Sequence, residues 1–432
     1  MKKALKVLLL SIPIAILFYS GKMLVPAVDA KNLLIRGIVA IVAVLIAVLY
    51  VVRSDFRPES SQKLKLFWKN PLGKSLTISY GVLIVSTIFA YSPFTAFFGT
   101  ASRGEGFVGL SFFYFLTLFL FVVFEKKDWF RFWQLTAVGG IIVFITEFTD
   151  FLGGAYRPGS LMDNPIFLAG YFLIVIFAGL LVWKSGKEEK NNLSLWLGGI
   201  ATMCSIIGMF ITESRGAMLG MIIGVFVALL YFVFAESGNT KKNIFFRKIT
   251  IAIISCMIIF GGIFVATRHS SFWIHVPGLN RVAQFSLSDP TTQSRIENAR
   301  LTLRAVRPTG SNIKNTLVGW GWDNYVFAWQ SNYDPKIYLY DRGIFDRAHN
   351  KLLDVLVMNG ILGLVAYLAI WFFLVRSALF LGKQSVFMSA VTLFFLTAFF
   401  IQNLTVFDTV ISYVPFFAVI GYMLFATQRK YE

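Results

Sequence analysis

Long apolar runs separated by short polar connections dominate the chain. Twelve runs lie near 4–20, 33–52, 74–92, 107–124, 133–150, 165–183, 193–211, 217–235, 249–266, 352–375, 386–402 and 410–426. Each is close to the length of about 20 residues that a helix needs to cross the hydrocarbon of a bilayer. Leu, Ile, Phe and Val fill them, with Gly scattered through as spanning helices tolerate. The period-two alternation of a membrane-barrel strand is absent. In lipid, a continuous helix pairs every backbone group within its own segment. The pattern predicts an all-α polytopic membrane protein with about twelve transmembrane helices.

Between the ninth and tenth runs the pattern changes. Residues 267–350 are polar and hold all three histidines, His269, His275 and His349. So long a connection is uncommon without a role, and it predicts one large extracytoplasmic loop. The expected organisation is helices one to nine over 1–266, the loop over 267–350, and helices ten to twelve over 351–432. Within the loop, Ile296, Ala299, Leu303 and Val306 recur at helical spacing. They predict an amphipathic helix from Thr292 to Val306, lying on the membrane or the bundle, with Arg295, Arg300, Arg304 and Arg307 interleaved.

Composition agrees with the pattern: 57% of residues are hydrophobic and 14% charged, against about a quarter charged in soluble domains. The formal net charge of +18 invites a nucleic-acid reading, but its distribution excludes one. Lys2, Lys3 and Lys6, then Lys63, Lys65 and Lys69, then Lys126, Lys127 and Arg131, then Lys184, Lys187 and Lys190 fall on alternate connections. Lysine and arginine retained on the cytoplasmic side produce this bias. It places both termini in the cytoplasm and makes membrane lipid, not nucleic acid, the partner. A long loop translocates largely regardless of its charge. Cys204 and Cys256 fall inside runs seven and nine and read as buried, inert thiols.

Four outer clusters carry candidate chemistry. Thr212-Glu213-Ser214-Arg215-Gly216 is a tight polar break, and an arginine there is costly unless paired or useful. Phe98 to Gly106 is a Gly-rich loop holding Arg103, and Tyr156 to Pro165 a turn holding Arg157; each is also ordinary turn chemistry. Asp346-Arg347-Ala348-His349-Asn350 precedes run ten, where His349 is expected on the helix face of Leu352, Leu353 and Leu356. With an unperturbed pKa of about 6.5, histidine suits proton transfer. No zinc-ligand spacing, Walker loop or Gly-x-Ser-x-Gly elbow occurs. Arginine forks bind phosphate in bidentate fashion and stabilise the charge that gathers on a leaving diphosphate. A histidine takes the proton from an attacking hydroxyl. Together they describe glycosyl transfer from a lipid diphosphate with no metal or other cofactor.

At these residues the chain resembles the O-antigen ligase and polymerase superfamily of bacterial envelope glycosyltransferases. The likeness rests on Ser214-Arg215-Gly216-Ala217, Asp163-Asn164-Pro165 with Ala169, and Gly319-Trp320-Gly321-Trp322-Asp323-Asn324-Tyr325. It continues in His349-Asn350 with Leu353, in Asn359-Gly360-Ile361-Leu362-Gly363, and in the segment from Phe98-Gly99 to Arg103-Gly104-Glu105-Gly106. The resemblance implies a fold similar to the C-type glycosyltransferases, an undecaprenyl-diphosphate-linked glycan donor and inversion at the anomeric carbon. It implies a bacterial inner-membrane location with the active site on the periplasmic side. It makes His349 the general base, with Arg215 and Arg295 on the diphosphate. Pro308 stands farther from Gly319-Trp320-Gly321 than the family pattern has it, so Arg300 remains the alternative to Arg295. The acceptor is a lipid-A core sugar, a protein Ser/Thr or, for a polymerase, a second lipid-linked glycan. A lipid-linked oligosaccharide flippase is the rival of another class. The scarcity of charge inside the runs and the lack of paired broken helices count against it.

Overall fold

The computed structural model describes all residues except 24, 236–240, 277, 311 and 432. Every regular element among them is helical, and ten helices are long and apolar enough to cross a membrane. The run at 107–124 forms a shorter apolar helix, Phe107–Val123. The first run divides into Lys2–Leu10 and Ile12–Ala15, with Pro13 in the second, where the missing N–H and ring disfavour a continuous helix. Helix starts follow local chemistry. Asn70 caps Pro71–Ile88 by accepting from the Leu72 amide at 3.0 Å. Asn164 caps Pro165–Glu188 by accepting from the Ile166 amide at 2.8 Å. The Asp163-Asn164-Pro165 motif is therefore a helix start.

The helices gather into two compact units. One comprises Met1–Trp129, Ser286–Leu374 and Asn403–Glu432. In it, Phe113 of Phe107–Val123 stacks on Tyr413 of Val410–Thr427 at 5.0 Å, and buried Trp129 meets Tyr422 edge-on at 5.5 Å. The other comprises Phe130–Phe285 and Val375–Gln402. There Phe177 lies between Trp133 at 5.5 Å and Phe395 at 5.0 Å. Cys256 is exposed and Cys204 half-buried, so the expectation of two buried thiols fails. Cys256 sits on an outward face of Lys241–Thr267.

In the first unit, Lys351–Leu381 breaks at Gly360, whose φ of 67° a side chain resists. A Cβ there would fall 2.2 Å from the Leu317 carbonyl oxygen. Gly319, at φ 80°, packs equally closely on Met358. The Gly319-Trp320-Gly321 and Asn359-Gly360 motifs are thus the two sides of one backbone crossing.

The expected loop helix exists as Pro290–Ala305, started by Pro290 and by Asp289 accepting from the Thr291 amide. Of the two placements open to its apolar stripe, membrane or bundle, the stripe is not turned onto the bundle: of its four residues only Val306 is buried. Ser294, Glu297, Asn298 and Thr302 are buried, whereas Ile296 and Leu303 are exposed. Polar partners inside the unit account for this. Thr302 and Asn298 both hydrogen-bond the buried Tyr325 hydroxyl, at 2.6 and 2.8 Å, and Asn298 donates to the Arg347 carbonyl at 3.0 Å.

Candidate active site

Beneath the segment that carries His349 lies a buried ionic cluster. Arg347, 3% exposed, donates to Glu105 Oε2 at 3.0 Å and to Asp323 Oδ1. The other Asp323 oxygen accepts from the Thr100 amide at 2.9 Å and the Glu105 amide at 3.3 Å. Arg36 donates to the Gly104 carbonyl at 2.6 Å. One cluster therefore joins the 99–106 loop, the Gly319–Tyr325 motif and the 346–350 segment. Burial pushes the Glu105 carboxyl up to about 7, with Arg347 opposing and Asp323 adding. The Arg347 guanidinium stays charged between its two carboxylates.

His349 is not on a helix, contrary to expectation. The helix begins at Lys351, and His349 sits before it with φ 55°. Such a backbone is uncommon for a non-glycine residue and clusters at functional sites. Asn350 ends the strained turn by accepting from the Leu352 and Leu353 amides at 3.0 and 3.2 Å. The imidazole is half-buried, 5.1 Å from the Phe407 ring and 5.9 Å from Phe345. Arg103 lies over the same Phe407 ring at 4.3 Å and pairs with Asp346 at 2.9 Å. Burial tends to raise the Asp346 carboxyl, but Arg103 beside it holds it below its ordinary value.

Burial, and then the positive charges of Arg295 and Arg103, push the His349 ring down to about 4; Asp346 and Asp341 oppose them. The ring is neutral at pH 7 and able to accept a proton. If His349 serves as a general base, the neutral form is the useful one, and activity would be retained above the folded pKa and lost as pH falls through it. The acid limb of a kcat/KM–pH profile belonging to free His349 is expected near pH 4 instead of the ordinary 6.5. A limb centred near 6.5 would show that burial and the arginines do not act on the ring. Of the two loop-helix candidates, Arg295 acts on His349, while Arg300 is exposed and pairs with Glu297 at 3.0 Å.

The second unit holds its own basic cluster beside the Thr212–Glu213 helix end. Glu213, at φ 49°, ends Asn192–Thr212. It accepts from the Tyr156 hydroxyl at 3.0 Å and the Asn280 amide at 3.1 Å, and its carbonyl lies 3.5 Å from Arg281 Nη1. Arg157, at φ 53°, donates to the Thr212 carbonyl at 2.9 Å. Burial, then Arg281, lowers its pKa, and Arg215 adds to the effect; a guanidinium still stays charged. Arg215 opens Arg215–Ala235, a helix end that favours anions, and lies 5.9 Å from the Phe285 ring. Arg157, Arg281 and Arg215 lie near enough for the latter two to lower the pKa of the first, and together they form a positively charged patch.

Of the residues singled out in the sequence, His349, Arg103 and Arg295 are gathered in the first unit, and Arg157 and Arg215 in the second. Sequence reasoning assigned no role to Arg347, Asp323 and Glu105, although all three stand in the quoted motifs. It missed Arg281, which no motif marks. Among the described residues, no three of His, Cys, Asp and Glu gather as metal ligands.

No curated protein matches the chain. A family model described as O-antigen ligase matches residues 200–368, a segment that includes Arg215, Arg295, Arg300 and His349 and leaves Arg103 and Arg157 outside. With the multi-spanning helical architecture, that match supports a ligase- or polymerase-like membrane enzyme.

Proposed function

We propose that the chain is a glycosyltransferase of the O-antigen ligase type, acting at the periplasmic face of a bacterial inner membrane. It moves a glycan from an undecaprenyl-diphosphate carrier to an acceptor hydroxyl on a lipid-A core sugar or a protein Ser/Thr, with inversion and without a metal. The observation that carries this reading is the neutral, half-buried His349 in a left-handed turn beside Arg103 and Arg295.

In the proposed step, His349 takes the proton of the acceptor hydroxyl as its oxygen attacks the anomeric carbon. The bond from that carbon to the diphosphate oxygen breaks, and its electron pair leaves with the diphosphate. Arg295 and Arg103 stabilise the developing charge, worth more in a desolvated site than in water. Arg103 exchanges its Asp346 partner for phosphate oxygens. Arg215 and Arg157 are proposed as further donor contacts. Arg300, turned outward toward Glu297, takes no part in this step.

Arg215 separates charge from fork geometry. Arg215→Lys should lose about ten- to a hundredfold in turnover, since a point charge cannot replace a bidentate phosphate contact. The check is release of lipid diphosphate by purified protein given the lipid-linked glycan and an acceptor, with and without EDTA. Normal turnover by a stably inserted Arg215→Ala removes this arginine from the donor site, and loss of wild-type turnover in EDTA contradicts the metal-free step.

A further inference from the structure

The outward face of Pro290–Ala305 is unlike that of a helix selected for water. Ile296, Ala299 and Leu303 alternate with Arg300, Arg304 and Arg307 along one shallow groove. The polar residues that would ordinarily face solvent are turned inward onto Tyr325 and Arg347. We propose that this face rests on the anionic phospholipid headgroups beside the spans of its own unit.

Position carries the first part of the case. The helix end is tied to Trp320, whose indole nitrogen donates to the Ala305 carbonyl at 2.9 Å. Trp320 and Gly321 amides donate in turn to Val357 and Met358, each at 2.9 Å, at the break in Lys351–Leu381. Lys314 donates to the Phe89 carbonyl at 2.7 Å, one residue past the end of Pro71–Ile88. The connecting helix Ile313–Val318 exposes Ile313 and Leu317. Leu317 abuts Gly360, after which the span itself exposes Ile361, Leu362 and Val365. Exposed apolar residues thus occur on the span, on the connecting helix and on the loop helix, which these hydrogen bonds tie together.

Charge carries the second part. Arg300, Arg304, Arg307 and Lys336 stand against Glu297 and Asp334, four positive groups to two negative. The hydrogen bonds of Arg300 and Arg304 to these carboxylates run through Nη1, and the exposed Arg304–Asp334 pair is weak. The remaining guanidinium N–H groups can donate to phosphate oxygens. Apolar side chains between basic ones are what an interfacial helix presents to anionic lipid. A second copy of the chain would bring the same arginines against these and be repelled.

The test uses the full chain in nanodiscs, with Cys204→Ala, Cys256→Ala and a single environment-sensitive label at Leu303→Cys. Ile296→Cys serves as a second position should the first perturb folding. In discs of phosphatidylglycerol with brominated chains, the label should shift to the blue and lose most of its emission. Phosphatidylcholine discs, or Arg300→Gln with Arg304→Gln and Arg307→Gln, should restore most of it. Emission typical of water in both lipids overturns the proposal. So does protection that appears only on adding a phosphorylated glycolipid, or only with rising protein concentration in detergent. No glycan transfer is measured, so the outcome stands apart from the transferase reading.

Discussion

His349→Asn is expected to lower glycan transfer by about a hundred- to ten-thousandfold, the range a general base contributes. Asparagine is the informative replacement because it tolerates the left-handed backbone, φ 55°, that His349 adopts. It therefore removes the base without adding strain. His349→Ala should lose as much turnover and some stability besides. Donor affinity should change little in both, because the proposed diphosphate contacts are arginines. Turnover and donor binding measured on the same purified variants separate the roles. Lost donor binding with unchanged turnover per bound donor would make the histidine a ligand contact.

Arg347→Ala should be the most destabilising single change at this site. It removes the guanidinium that the buried carboxylates Glu105 and Asp323 bond directly, leaving only longer-range positive charge such as Arg36, a loss of about 3–5 kcal/mol. Arg103→Ala, which breaks the more exposed pair with Asp346, should cost about 1 kcal/mol or less. The penalty at Arg347 should also depend on pH. The Glu105 carboxyl already lies above its ordinary 4.5, at about 7. Its contribution is therefore most favourable below 4.5 and is lost as pH rises toward 7. Without the guanidinium that loss deepens, so the gap between variant and wild type should widen with pH. Thermal unfolding in detergent at two pH values measures both effects. Equal melting of Arg347→Ala and wild type would deny the cluster its structural role.

The spans were legible because lipid leaves a backbone few choices: an apolar run of sufficient length must pair within itself. Even so, Pro13 divided the first run, and the Gly360 break was not anticipated. The loop helix itself was legible, but the polar residues it buries were not. Hydrophobic spacing assumes that a protein interior is apolar, whereas Asn298 and Thr302 are buried to serve the Tyr325 hydroxyl and the Arg347 carbonyl. His349 was singled out by its chemistry but placed on the wrong element. Asn350, a good cap just before an apolar run, was the available sign that the helix starts after it. The cluster of Glu105, Asp323 and Arg347 joins residues far apart in the chain, and no local periodicity brings such residues together.

On the proposed function, this chain cleaves a lipid-diphosphate glycan and does not merely bind or carry it. The most direct measurement reconstitutes wild-type protein in vesicles with an undecaprenyl-diphosphate glycan and an acceptor. It follows two products, free undecaprenyl diphosphate and glycan joined to acceptor. Both are expected to appear in equal amounts, unchanged by EDTA and abolished by His349→Asn. Movement of intact donor across the vesicle membrane, with no diphosphate released for any acceptor, would contradict the account and make the protein a carrier.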